Sequence, residues 1–288
     1  MHKSVLLNEV ISYLAPRAGE SYLDLTAGYG GHADKILEVT QNYKGTVLVD
    51  RDQNAVEYLR AKYREVKPEI VHGDFYNAAL RLVESGRKFD MILADFGVSS
   101  PQLDQKERGF SILKDDRLDM RMDERQELDA WWIVNKWRES ELAEILARYG
   151  EEREGRAKML ARAVAGSRPI ETTGQLAEII KSKSGYGKKH PATQVFQAIR
   201  MVVNDELGQI EGVLPLVAKL LAPGGRVGMI SFHSLEDRLV KNYLVEASGQ
   251  GIESELKVLT KKPVIAGKSE LDNNPRARSA KLRVAVRL

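Results

Sequence analysis

The residues of this chain best suited to chemistry cluster in its first hundred positions. Asp24 lies within the run Tyr22-Leu23-Asp24-Leu25 and stands just before the loop Ala27-Gly28-Tyr29-Gly30-Gly31-His32-Ala33. Asp50 closes Thr46-Val47-Leu48-Val49-Asp50, 22 residues after Gly28. Gly73-Asp74-Phe75 follows Ile70-Val71, and Asp95 closes Phe89-Asp90-Met91-Ile92-Leu93-Ala94-Asp95. Glycines let the backbone turn tightly and approach a ligand closely. A carboxylate about 20 residues after such a loop is placed to accept hydrogen bonds from ribose hydroxyls. The chemistry suggested is the holding of a nucleoside-bearing cofactor.

Two cofactor classes fit that far. Gly28 to Ala33 satisfies G-x-G-x-x-G/A, a loose pattern that a dinucleotide or S-adenosylmethionine would equally account for. Asp24 breaks the tie. It lies where a dinucleotide would bring its anionic pyrophosphate, which a carboxylate repels, whereas a methionyl ammonium would pair with it. Asp74 could accept from the adenine amino group, with the Phe75 ring against the purine. In order along the chain, Asp24, Gly28, Gly30, Gly31, Asp50, Asp74 and Phe75 favour S-adenosylmethionine. Asp95-Phe96-Gly97 matches the metal-binding triplet of protein kinases, but no H-R-D catalytic loop accompanies it. His2, His32, His72, His190 and His233 lack zinc-like spacing, so a metal-free reaction is expected. His233 reads as a packed or capping histidine rather than a general base.

The elements that must position these groups alternate. Short apolar runs end at Asp24, Asp50, Val71 and Asp95, with helical patterns through Ile36, Leu37 and Val39 and from Ala55 to Val66. Strands separated by helices imply crossover connections and a parallel sheet, whose ligands bind beyond the carboxyl ends of its strands. Between about 105 and 205 the periodicity is helical, with stripes at Leu142, Ile145 and Leu146, at Leu176, Ile179 and Ile180, and at Val195, Phe196, Ile199 and Val203. These read as helix-packing core. Strand signals return at Arg226–Phe232 after Pro223-Gly224-Gly225, then at Leu256–Leu259 and Leu282–Val286. The organisation expected is one doubly wound α/β domain, residues 1–104 and 206–288, interrupted by an all-helical insertion over 105–205.

Composition sets the remaining bounds. With 288 residues, 43% hydrophobic and 30% charged, the chain is of ordinary globular make-up. It has no cysteine, which excludes disulfides, thiolate metal sites and a cysteine nucleophile. No signal-like segment or run of about 18 apolar residues occurs, so a soluble, cytoplasmic protein without membrane contact is expected. Net charge is only +3, but Lys257–Leu288 holds nine Lys/Arg against two acids, and Lys181–Arg200 five basic residues and no acid. Such stretches could meet phosphates or simply be solvated faces.

Longer strings carry a specific likeness. His2-Lys3-Ser4-Val5-Leu6-Leu7, Asp24-Leu25-Thr26-Ala27-Gly28-Tyr29-Gly30-Gly31-His32 and Asp95-Phe96-Gly97-Val98-Ser99-Ser100-Pro101-Gln102-Leu103-Asp104 are three of them. Leu118-Asp119-Met120-Arg121-Met122-Asp123, Ser231-Phe232-His233-Ser234-Leu235-Glu236-Asp237-Arg238 and Asn274-Pro275-Arg276-Ala277-Arg278-Ser279 continue the match. Over essentially its whole length the chain resembles the bacterial small-subunit (16S) ribosomal RNA (cytosine-N4)-methyltransferases, the RsmH or MraW family. The resemblance implies a Rossmann-like class I methyltransferase domain that N4-methylates a cytidine in the decoding region of 16S rRNA. It implies cofactor contacts at Gly30, Gly31, His32, Asp50, Phe75, Asp95 and Gln102; His32 and Gln102 rest on it alone. Two departures stand out. Phe96 replaces a leucine, and Asp116-Arg117 replaces Gly-Pro before Leu118, which alters the stiffness of that loop.

Cytosine N4 is a poor nucleophile because its lone pair is delocalised into the ring. An enzyme must hold the amine in line with the sulfonium methyl and accept from N4–H. Asp95 is the acceptor candidate, or is taken up by the cofactor; the sequence leaves both open. Lys181, Lys183, Lys188, Lys189 and His190 are the expected RNA contacts of the insertion, with Arg276, Arg278, Lys281 and Arg283 adding phosphate contacts. The expected partner is 16S rRNA or the small ribosomal subunit, with monomer and homodimer both open. Three rivals make different predictions: a dehydrogenase would bind NAD, a non-catalytic RNA-binding protein would transfer no methyl group, and a DNA amino-methyltransferase would modify duplex DNA.

Overall fold

The computed structural model describes residues 4–97, 108–112, 114–183, 190–249 and 254–288. The chain divides into two units, Met1–Gly97 with Leu207–Leu288, and Val98–Glu206.

In the first unit, strands β1 (Tyr22–Asp24), β2 (Thr46–Asp50), β3 (Glu69–His72), β4 (Phe89–Asp95), β5 (Leu221–Ser231), β6 (Leu256–Val258) and β7 (Lys281–Arg287) form one sheet. Their order is β3-β2-β1-β4-β5-β7-β6. Strands β1 to β5 are parallel, and β7 runs antiparallel between β5 and β6. Helices α1 (Leu7–Leu14), α2 (Gly31–Thr40), α3 (Gln53–Lys62) and α4 (Phe75–Glu84) alternate with the early strands. The strand order reverses between β1 and β4, so the crevice at their carboxyl ends is where a ligand is accommodated.

Both sheet faces are buried, which is why the strands read as apolar runs rather than as alternation. Period-two geometry sends Leu23, Val47, Val49 and Ile92 into one core cluster. It sends Tyr22, Leu48, Met91 and Leu93 into the other, with Val10, Leu14, Ile36 and Leu59. β5 begins earlier than Pro223-Gly224-Gly225 suggests. Phe89 pairs with Leu221, the register then jumps, and Met91 pairs with Arg226. The turn is an excursion within a strand, with Gly224 at φ 74°.

The second unit holds α5 (Ala130–Lys136), α6 (Glu139–Arg148), α7 (Glu154–Gly166), α8 (Thr173–Ser182) and α9 (Thr193–Val203). The expected stripes form its own core: Leu142, Ile145, Leu146, Leu176, Ile180, Val195, Phe196, Ile199 and Val203 are buried together, with Ile179 packed against them. The segment at Asp116-Arg117 is pinned to the start of α8. Thr173 N–H donates to the Asp116 carbonyl at 2.8 Å, Asp116 N–H donates to Thr173 Oγ1 at 3.0 Å, and Arg117 bridges Thr172. The first unit resumes at Leu207, within α10 (Glu206–Leu220), and continues through α11 (Ser234–Ala247) and α12 (Lys268–Asn273). Among the described residues, no helix is long and apolar enough to cross a membrane.

Candidate active site

Three strands deliver carboxylates to the same edge. Asp24 ends β1 and is almost wholly buried. Tyr22 Oη donates to its Oδ2 at 2.7 Å, and Thr26 N–H donates to its Oδ1 at 3.2 Å. Asp50 ends β2 and accepts from Gly28 N–H at 2.7 Å and Asp52 N–H at 2.8 Å. Asp95 ends β4, and its own N–H donates to Thr26 Oγ1 at 2.6 Å. Thr26 thereby ties β1 to β4 at the switch point.

Burial dominates the electrostatics of this edge. It pushes Asp24 up to about 7, with Tyr22 and Thr26 acting downward and Asp50 adding to the rise. Asp50 is pushed up to about 6 by burial, against the hydrogen bonds from Asp52 and Gly28. Asp95 reaches about 7 through burial, with the nearby charge of Asp24 adding to it, a backbone hydrogen bond from Gly97 acting downward, and the charge of Glu236 adding further. Asp95 Oδ1 is buried and has no hydrogen-bond partner among the described residues. A buried carboxylate oxygen left unpaired is costly, and such groups mark places where a ligand completes the bonding.

The glycines serve different ends. Gly28 lies at φ 52°, and a Cβ there would meet nothing within 4 Å, so the backbone is open to close approach. Gly30, the N-cap of α2, lies at φ 78°, and its Cβ would come 3.0 Å from Leu59 Cδ2 and 3.1 Å from Tyr63 Oη. Positive φ and the closeness of Leu59 and Tyr63 thus favour glycine at position 30 on the side of α3, whatever lies on the other side of the loop. At Gly31 a Cβ would strike Ser4 Oγ, so the N-terminal segment packs directly on the loop.

The remaining expected residues fall into distinct settings. Asp74 is the N-cap of α4, accepting from Asn77 N–H at 2.8 Å and Asn77 Nδ2 at 2.9 Å, a structural task the sequence reading did not assign to it. Phe75 begins that helix, with its ring centroid 5.7 Å from that of Phe96. The Phe96 substitution thus joins an aromatic pair next to Asp95. His32 is buried in α2, and its Nε2–H donates to the Val5 carbonyl at 2.9 Å. His233 caps α11, with Nδ1 accepting from Glu236 N–H at 3.3 Å. Gln102, Lys188 and Lys189 lie outside the described residues.

Of the expected RNA contacts, Lys181 and Lys183 are exposed at the end of α8, with Lys181 3.2 Å from Glu178 one turn earlier. His190 is exposed just before α9, Arg278 is exposed, and Arg276 is half-buried. Arg283 requires correction. It is buried, and its guanidinium is held by Asp237 at 2.7 Å, so it is not presented to a phosphate. Lys281 shares the same carboxylate at 3.3 Å. The sequence reading missed Asp237, along with Tyr22, Thr26 and Glu236. Tyr22 had a signal: it stands two residues before Asp24 in a strand, and hence on the same face.

A mostly parallel doubly wound sheet, with carboxylates and a glycine loop gathered at its switch point, defines the class: an S-adenosylmethionine-dependent methyltransferase. The chain belongs to the MraW methylase family, whose model matches residues 1–288. It is 49% identical over 290 residues to a protein of Nostoc sp. named ribosomal RNA small subunit methyltransferase H, covering 99% of this chain and 92% of that one. A protein of the same name from Acidobacterium capsulatum is 45% identical over 295 residues, covering 99% and 97%. Among solved structures, the chain is similar to a putative rRNA-methylase from Clostridium thermocellum, with 9% identity and a TM-score of 0.47 over the whole of both chains.

Proposed function

We propose that this chain methylates the exocyclic N4 of a cytidine in the decoding region of 16S rRNA. The observation that carries the chemistry is the buried Asp95 Oδ1 at the carboxyl end of β4, which has no hydrogen-bond partner among the described residues. The full-length relatives named for the small-subunit RNA support the substrate. When bound, S-adenosylmethionine supplies an electrophilic methyl group on a sulfonium.

The residues present fit that group. Gly28 gives an open backbone surface, and Asp50, with two backbone donors already bound, retains acceptor capacity for ribose hydroxyls, since a carboxylate offers about four lone-pair sites. Asp24 faces the methionyl ammonium, while Gly30, Gly31 and His32 complete the loop. Phe75, with Asp74 at its helix start, takes the adenine side, and Gln102 remains a proposed contact. Asp95 accepts a hydrogen bond from N4–H at Oδ1. This draws the amine lone pair out of conjugation and holds it in line for attack. A carboxyl raised to about 7 is also able to take the released proton near neutral pH.

The helical unit is the RNA-gripping element in this reading, through Lys181, Lys183, Lys188, Lys189 and His190, with Arg276, Arg278 and Lys281 adding contacts from the other unit. A substrate of ribosomal RNA puts the reaction in the cytoplasm. The test is mass spectrometry of 16S rRNA from cells with and without this gene. One methyl group should disappear from a decoding-region cytidine; an unchanged methylation pattern would defeat the proposal.

A further inference from the structure

Tyr22 and Asp24 occupy alternate positions of β1, which places both side chains on one face of the sheet. Tyr22 is fully buried, yet its hydroxyl does not end on a backbone carbonyl. It donates to Asp24 Oδ2 at 2.7 Å, beside the Thr26 N–H donated to Oδ1. A phenylalanine would fill the same space in the core. The hydroxyl adds only a donor aimed at a carboxylate, and donors to the charged form favour that form.

That donor matters because the surroundings oppose ionisation. Asp50 acts on Asp24 from β2, raising it further, and Asp24 in turn raises the Asp95 carboxyl at the end of β4 and the Tyr63 hydroxyl just after α3. With burial the largest cause, Asp24 titrates near 7, and the Tyr22 hydrogen bond is the foremost influence keeping it from rising further. A neutral carboxyl could not pair with an ammonium.

We propose that Tyr22 is a positioning residue for cofactor recognition, its hydroxyl keeping Asp24 ionised and oriented for the α-ammonium of the methionyl group. This rests on the reading that Asp24 meets that ammonium. Tyr22 never touches the cofactor; it acts through Asp24.

The test compares two probes by titration calorimetry: S-adenosylhomocysteine, which carries the ammonium, and 5′-methylthioadenosine, which lacks the amino-acid portion. Their affinity ratio reads ammonium recognition alone. Tyr22→Phe should lower the ratio roughly fivefold at pH 7, as a rise of about one pKa unit would on a half-ionised carboxylate. At pH 8.5, where Asp24 ionises in both proteins, the difference should shrink below about 1.5-fold. In the unaltered protein the ratio should fall as pH drops below about 7; this arm requires no variant to fold, and a flat ratio overturns the inference. Asp24→Asn should abolish the preference at every pH. If Asp24→Asn loses it but Tyr22→Phe keeps it, Tyr22 has no such role and the Asp24 reading survives. If Asp24→Asn also keeps it, the underlying reading fails. Equal weakening of both probes by Tyr22→Phe would show a merely structural tyrosine.

Discussion

At the scale of residues, the site is built from carboxylates that the fold holds against their ionisation. Asp24, Asp50 and Asp95 all have pKa values above the ordinary 3.8 because burial penalises the charged form. Each therefore binds its proton more tightly folded than unfolded. The stability they contribute is full below about 3.8 and is lost as pH rises through about 6 to 7. Asp119 and Asp237, lowered through Arg121 and Arg283 despite their burial, work in the opposite sense, so the informative comparison is with a variant. Asp95→Asn should raise the melting temperature of the ligand-free protein at pH 8 by a few degrees, with the gain shrinking steadily as pH falls toward about 4. The same change should slow methyl transfer by about two orders of magnitude or more. A variant that melts no higher at pH 8 would show that Asp95 is not strained in the resting protein. Asp50→Ala should weaken S-adenosylhomocysteine binding by roughly 1.5–3 kcal/mol, the range for hydrogen bonds to a charged group. Unchanged affinity by calorimetry would remove Asp50 from the ribose site.

Loops and caps, at the scale of elements, decide which of these side chains are available. Gly30 was legible as a loop glycine, but its neighbour was not, because Leu59 and Tyr63 come from a helix some thirty residues later. Gly30→Val should destabilise the protein by about 1–3 kcal/mol, from strain at positive φ and crowding against α3. Equilibrium denaturation measures this; a fully stable variant that fails to bind cofactor would show that the added side chain crowds the ligand rather than α3. Asp74 poses the opposite problem. Its capping of α4 suffices to explain its presence, so Asp74→Ala should cost about 1 kcal/mol of stability. Its effect on S-adenosylhomocysteine affinity then decides whether it also serves adenine. Two of the fold's strands, β2 and β4, coincide with the apolar runs read from sequence. β5 begins five residues early because a register jump absorbs Pro223-Gly224-Gly225, and such a jump requires the partner strand to be known.

The whole molecule pairs a cofactor-binding sheet with a helical unit that has its own core. Neutralising Lys181, Lys183, Lys188 and Lys189 together should reduce RNA affinity and flatten its salt dependence, by about 0.7–0.9 in slope per phosphate contact removed. Cofactor affinity should be unaltered. Filter binding across a salt series, with calorimetry for the cofactor, separates the two effects. Cofactor loss without RNA loss would place these lysines in the wrong function. Lys181 is the weakest member of the set, since Glu178 already stands beside it, although an exposed pair of this kind contributes little.

The sequence by itself determined the alternation of strands and helices, the carboxylates that end β1, β2 and β4, and the family. Each of these is local: a period, a spacing or a string of neighbouring residues carries it. Tertiary structure alone decided what each polar group does once buried. Asp95 Oδ1 is left unpaired among the described residues, Arg283 is neutralised by Asp237 46 residues away, and Thr26 receives the amide of Asp95 across two strands. Those outcomes depend on which groups are desolvated together, and desolvation is a property of the packed sheet rather than of any segment within it.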